Sequence, residues 1–240
     1  MKKQGAALCA WGLLLSFLLV GGERDILAGG GAVVKLPEEP RAVALTFDDG
    51  PRAETTARLL EGLALREVPA TFFLVGSRIP GNEELIREMK TAGHQIGIHT
   101  YDHVLVTQLT KAQFRAQLDQ TRALLVEILG PGEYWLRPPY GLLDETTEKW
   151  ADSPLILWSV DPEDWKDRNT QRIVETVIRG VNDGDIILMH DIYESSVDAA
   201  FQIVDRLLDQ GYCFVTVEQL MDLRGVSPGT GVRYVALPSE

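Results

Sequence analysis

The chain has 240 residues, 45% hydrophobic and 24% charged, with a formal net charge of −12. That size and balance suit one large domain with a sizeable core and exclude a chain disordered beyond its ends. No basic cluster follows the first residues, which argues against a nucleic-acid partner because phosphate neutralisation needs grouped Lys and Arg.

Lys2 and Lys3 precede an apolar run over residues 6–20, the order of the charged and hydrophobic regions of an export signal. The run falls short of the roughly 20 apolar residues that a membrane span needs, although Gly21 and Gly22 would lengthen it into an uncleaved anchor. Residues 1–22 are therefore expected to be a signal peptide or N-terminal membrane anchor. The protein is expected to be exported and extracytoplasmic, secreted or anchored to the cell membrane, with that segment its one route to a membrane. The two cysteines, Cys9 and Cys213, supply no disulfide framework: Cys213 reads as core, and Cys9 lies too early for lipid attachment. Residues 23–40, rich in Gly and containing Pro37 and Pro40, read as a linker.

A domain is expected over 41–224, with 225–240 as a C-terminal tail. It opens with AVALTFDDGP, a short apolar strand over 43–47 that stops at Asp48 and Asp49. A helix over 53–66 and a strand over 70–75 follow, then a helix over 83–92 ended by Gly93 and a strand over 95–99. The longest helix, 111–129, starts from a Thr110 cap with Gln113 three residues on and stops at Gly130-Pro131-Gly132. Strands over 134–137, 155–160 and 185–189 alternate with helices over 143–150 and 170–180. A helix over 197–210, a strand over 212–216 and a helix over 217–223 complete the pattern. Such alternation predicts a parallel sheet with helical crossovers, either open or closed into a barrel. In a barrel, side chains placed just after many strands meet at the C-terminal mouth.

The residues after the predicted strands are chemically loaded: Asp48 and Asp49; His99 and His103; Arg137 and Tyr140; Asp161, Asp164 and Trp165; His190 and Asp191. Asp-Gly-Pro is ordinary turn chemistry, but two adjacent carboxylates repel, and a plain turn has no use for both. A site with a cation can hold one as ligand and leave the other as a base. His99 and His103, four residues apart, can present both imidazoles to one ion. Two His and one Asp leave positions open for water and substrate, as in catalytic rather than structural zinc sites, and suit zinc, cobalt or nickel. Arg137, fixed by Pro138 and Pro139, is placed to pair with the carboxylate that is not on the metal, and His190 is placed as a general acid.

TFDDGP, HTYDH, RPPYG, DPEDW and LMHD, in this order, resemble the five motifs of the polysaccharide deacetylases of carbohydrate esterase family 4, the NodB-homology domain. The resemblance extends over about 41–223 through PATFFLVG and the closing 211–220 stretch. It implies a distorted (β/α) barrel of about seven parallel strands with the site at the C-terminal mouth, and an enzyme that hydrolyses N-acetyl groups from amino sugars of a polymer. By motif position it implies Asp48 as general base and Asp49, His99 and His103 as ligands of one divalent metal, zinc first. It also implies Arg137 orienting Asp48, the Tyr140 N–H binding the oxyanion, His190 as general acid tuned by Asp164, and Trp165 and Leu188 as walls for the acetyl methyl. Ile98 and Val104, beside the two His, depart from the family pattern and put the shape of the sugar subsites in question.

The expected substrate is a cell-wall polysaccharide, with peptidoglycan N-acetylglucosamine foremost and chitin oligomers or acetylxylan as alternatives. A glycan-binding module that kept the fold and lost the chemistry would be expected to lack part of the Asp pair, the His ligands or the acid, and none is missing. Nothing in the sequence implies a protein partner.

Overall fold

The computed structural model describes residues 41–239 and the backbone of two short segments before them. The expected export segment, 1–22, lies outside the described residues. Within the stretch read as a linker, β1 (Asp25–Leu27) and β2 (Val33–Lys35) pair antiparallel with Ile26 opposite Val34. Their β-branched residues favour extended backbone despite the surrounding glycines.

The main unit, residues 41–240, is built around β3 (Arg41–Asp48), buried throughout after Arg41. Parallel neighbours flank it: β4 (Thr71–Leu74) along its second half, β7 (Ile186–His190) from Ala44 to Asp48, and β8 (Tyr212–Val215) along its first half. β5 (Gln95–Ile98) pairs with β4. From β5 the parallel pairing passes by single bridges from Ile98 to Leu136 and from Leu136 to Leu155, and Val160 bridges Ile187 of β7. The circuit of strands is thus a distorted barrel, and between β5 and β7 its wall is pinned at points rather than laddered.

That wall departs from the expected strands. Residues 134–137 form no ladder beyond Leu136, and of 155–160 only β6 (Leu155–Ile156) is a strand. Pro138, Pro139 and Pro154 lack the N–H that a ladder needs. The Arg137 guanidinium donates to the carbonyls of Ile156 at 3.1 Å and Leu157 at 2.9 Å, taking acceptors that a neighbouring strand would otherwise use.

Strand alternation divides the core in two. Val43, Leu45 and Phe47 of β3, Ile96 and Ile98 of β5, and Ile187 and Met189 of β7 belong to the cluster that packs against the helices. Ala42, Ala44, Phe73 and Ile186 point the other way and form a second, interior cluster. Both faces of the strands are buried, hence the unbroken apolar runs. Interior space is tight: a Cβ on Gly97 would lie 2.6 Å from the Phe73 ring. The question raised by Ile98 is answered here, since its side chain sits in the outer core and cannot shape a sugar subsite.

The helices are α1 (Ala53–Ala64), α2 (Glu83–Thr91), α3 (Lys111–Leu129), α4 (Glu145–Trp150), α5 (Asp164–Asp167), α6 (Thr170–Gly180), α7 (Glu194–Asp209) and α8 (Val217–Leu223). α1 buries Leu59, Leu60 and Leu63, each worth about 1.5–3 kcal/mol when withdrawn from water. α3 opens on the Thr110–Gln113 capping box that its sequence predicts. α7 begins three residues before its expected start at 197. α5 was not expected: one turn between left-handed Glu163 and Arg168 carries no apolar periodicity. The segment expected as a tail is folded against the domain, with β9 (Arg233–Tyr234) pairing in parallel with β6 and Leu237 buried in the interior cluster. No helix among the described residues is long and apolar enough to cross a membrane.

Candidate metal centre and active site

The interior rows of β3 and β7 rise side by side to the mouth. Ala42, Ala44, Thr46 and Asp48 face inward on β3, and Ile186, Leu188 and His190 do so on β7. Asp48 stands in register with His190. Neighbouring strands lie about 4.8 Å apart, so a carboxylate and an imidazole open side by side onto the same space.

Asp48 is almost completely buried and is held by Arg137, which has no exposed surface. Arg137 Nη1 donates to Asp48 Oδ1 at 2.8 Å and to Thr46 Oγ1 at 2.6 Å, and the other guanidinium nitrogens are spent on the carbonyls of Ile156 and Leu157. The guanidinium lies 4.2 Å from the Phe73 ring centre. Burial pulls its pKa down, and the Asp48 charge opposes that. A buried pair of this kind fixes geometry, because either partner alone would be an uncompensated charge.

On the other side of Asp48 stand three metal-ligand side chains. Donor atoms of Asp49, His99 and His103 all lie within 4.8 Å of one another. Asp49 Oδ1 is 3.1 Å from His103 Nε2 and 3.8 Å from His99 Nε2. Donors about 2.1 Å from a tetrahedral ion stand about 3.4 Å apart, so these separations suit a shared cation. Asp49 Oδ1 is also buried, with His103 Nε2 3.1 Å away as its nearest polar neighbour among the three donors. His99 Nδ1 lies 2.7 Å from the Arg137 carbonyl, which takes its proton and leaves the Nε2 lone pair facing Asp49. Burial holds His99 below the usual imidazole range, in the neutral form that binds metals, despite the nearby carboxylates. Burial would raise the Asp49 pKa, but His103, His99 and His190 outweigh it and hold the carboxyl well below its usual range. The donor set fits a divalent first-row metal.

His190 is tied down by Asp164, the first residue of α5. Asp164 Oδ1 accepts from His190 Nδ1 at 2.7 Å, and Oδ2 accepts from the His190 backbone N–H at 2.9 Å. Burial works against the charged imidazole, but the Asp164 bond and charge dominate and raise its pKa to about 9. Tyr140 is 61% exposed, with its ring 4.9 Å from that of His103 and its backbone left-handed at φ 63°. Leu188 is buried on the row below His190, and half-exposed Trp165 follows Asp164 without a hydrogen bond to the cluster. Left-handed residues gather here: Asp49, Thr100, His103, Tyr140 and Glu163 all have positive φ, a backbone strain typical of functional sites.

His94 is not part of the site. Its Nδ1 accepts the Ala70 N–H at 3.0 Å, and burial holds it at about 4 as a neutral core residue. Thr46, Thr56 and Arg78 were not expected as neighbours of the site. Thr46 could have been found two residues before Asp48 on the same strand face, but the other two carry no signal. A cleft of about 430 Å³ lined by Arg122, Tyr134, Asp152 and Thr230 contains none of the site residues.

Comparisons with known proteins bear on the family and the fold. The polysaccharide deacetylase family model matches residues 35–153. The chain is 40% identical over 198 residues to the peptidoglycan-N-acetylmuramic acid deacetylase PdaC of Bacillus subtilis, a match covering 80% of this chain and 42% of that protein. It is 35% identical over 191 residues to a peptidoglycan-N-acetylglucosamine deacetylase of Bacillus cereus, covering 77% and 70%. A family 4 acetyl xylan esterase of Clostridium thermocellum, solved with a cobalt ion, superposes with a TM-score of 0.78 at 33% identity, covering 82% of this chain and 99% of that one. The chain spans about two fifths of the length of PdaC. Fold, motif order and these relatives together place the chain in the polysaccharide deacetylase family, carbohydrate esterase family 4.

Proposed function

We propose that the protein is a metal-dependent hydrolase that removes N-acetyl groups from amino sugars of a cell-wall polysaccharide, with N-acetylglucosamine of peptidoglycan as the substrate. The observation that carries this reading is the pairing of Asp48, bound to Arg137, with His190, bound to Asp164, on adjacent strands beside the Asp49, His99 and His103 donors. A base and an acid thus flank one candidate metal centre.

A divalent cation held by Asp49, His99 and His103, zinc first and cobalt or nickel by the same donor set, would polarise the acetyl carbonyl and make water easier to deprotonate. Asp48 accepts the proton of the attacking water on Oδ2, since Arg137 occupies Oδ1. The Tyr140 N–H, turned by its left-handed backbone, donates to the developing oxyanion. The amine leaves only when protonated, and His190 donates that proton from Nε2 while Asp164 holds Nδ1. The carbon–nitrogen bond breaks, giving acetate and a free amino sugar. Leu188 and Trp165 wall the space for the acetyl methyl.

Peptidoglycan lies outside the cytoplasm, and residues 1–22, patterned as a leader or anchor ahead of a linker over 23–40, fit delivery there. The test is acetate release from purified peptidoglycan, chitin oligomers and acetylxylan, each with chelator and with zinc restored. Release from peptidoglycan that chelation abolishes and zinc restores supports the proposal. Release from acetylxylan alone refutes the substrate, and no release from any of them refutes the activity.

A further inference from the structure

Adjacent residues of an extended strand point to opposite faces, so Asp48 and Asp49 can address one mouth only if the chain turns between them. It turns at Asp49, whose left-handed φ of 75° is strained for a non-glycine residue and persists only where the surroundings impose it. On one side of this turn Arg78 donates to the Asp49 carbonyl, and the Val75 N–H donates to the Gly50 carbonyl at 2.9 Å.

On the other side lies Asp191, fully buried just beyond β7. Its carboxylate stands where a side chain at residue 50 would be: a Cβ on Gly50 would lie 2.7 Å from Asp191 Cγ. Gly50 is therefore required by this close approach, not by a left-handed φ. Asp191 Oδ2 accepts from Thr56 Oγ1 at 2.5 Å, and the same hydroxyl accepts the Arg52 N–H at 2.9 Å. The Arg52 guanidinium in turn donates to the Ile192 carbonyl at 2.9 Å. Strand β7, the turn and the start of α1 are thus joined through one carboxyl. Asp191 Oδ1 is buried with no partner, and burial pushes the group up to about 7. An apolar residue would fill the space without that desolvation cost, so packing alone does not account for a carboxyl here.

We propose that Asp191 is a positioning residue: by filling the side-chain volume of residue 50 and bracing Thr56, it holds Asp49 in its left-handed turn so that the Asp48 and Asp49 carboxylates converge. This role rests on the metal-centre reading above. It acts through the turn, without contact with the reacting groups.

The test is the Zn²⁺ affinity of the full chain, measured by competition with a chromophoric chelator for the wild type, Asp191→Asn, Asp191→Ala and Thr56→Val, with circular dichroism to confirm the fold. Asn keeps the volume and an acceptor for Thr56, so its affinity stays within about threefold, whereas Asp191→Ala and Thr56→Val each lose about 10–100-fold. The loss caused by Gly50→Ala becomes about tenfold smaller in an Asp191→Ala background, because the two positions share one volume. If Asp191→Ala does not fold, Thr56→Val decides. Wild-type affinity in either folded variant, equal losses for Asn and Ala, or additive losses for Gly50→Ala and Asp191→Ala each overturn the role. A wild-type chain that binds no Zn²⁺ overturns the metal centre itself, which is a different result from wild-type binding that the Asp191 variants share.

Discussion

Asp48 and Asp49 are neighbours in sequence with different surroundings. Asp48 is bound by Arg137 and buried on the interior row; Asp49 forms the turn and faces the His103 and His99 imidazoles. Under the proposed mechanism, Asp48→Asn lowers kcat by about 10²–10⁴-fold while Zn²⁺ binding is retained, a combination that steady-state kinetics and a metal titration check together. His190 makes a pH prediction. Its pKa is raised above the ordinary value of 6.5, so the stability from its bond to Asp164 is full below about 6.5 and is lost as pH rises through about 9. The acid form is lost over the same rise, so activity falls there, and a bound cation moves that limb lower. Asp164→Asn removes the partner and shifts the alkaline limb of the kcat profile down by about one to three units; an unmoved limb would show that another group supplies the proton.

At the scale of elements, the mouth depends on one cation inserted through an irregular wall. Arg137 does for β6 part of what a strand would do, and it also fixes Asp48. Arg137→Ala therefore costs about 3–5 kcal/mol in denaturant unfolding, because it leaves the Asp48 charge buried and unpaired. The α3 cap is a separate matter. Thr110→Ala removes the capping-box acceptor, costs about 1 kcal/mol and shifts the denaturant midpoint without altering its slope. α3 was legible from its Thr110–Gln113 cap and its Gly130-Pro131-Gly132 stop, and α6 from the alternation of apolar runs and helical stretches. α5 and the bridged wall were not, because one helical turn has no period, and a strand paired at single points differs from a loop only by its neighbours.

For the molecule as a whole, a ligand that binds the folded chain alone stabilises it by mass action. At 100 times its dissociation constant, zinc adds about 2.7 kcal/mol, or about 5–11 °C in the thermal midpoint of a domain this size. Calorimetry with and without chelator reads that shift, and the His99→Ala, His103→Ala double variant should abolish it. The closing segment belongs to the same body: β9 extends β6, and Leu237 is buried in the interior cluster.

The sequence by itself determined the alternation of elements, the motifs that end the strands and the types of chemistry they carry. Those features are local: a strand's period of two, a cap three residues from its partner, a run of carboxylates. Only the tertiary structure decided which groups share surroundings. It placed His94 in the core, turned Ile98 away from the mouth, brought Asp48 into register with His190 from 142 residues along the chain, and set Asp191 behind Gly50. Burial and close approach are properties of residues far apart in sequence, so a buried carboxyl and a surface one read alike until the strands are assembled.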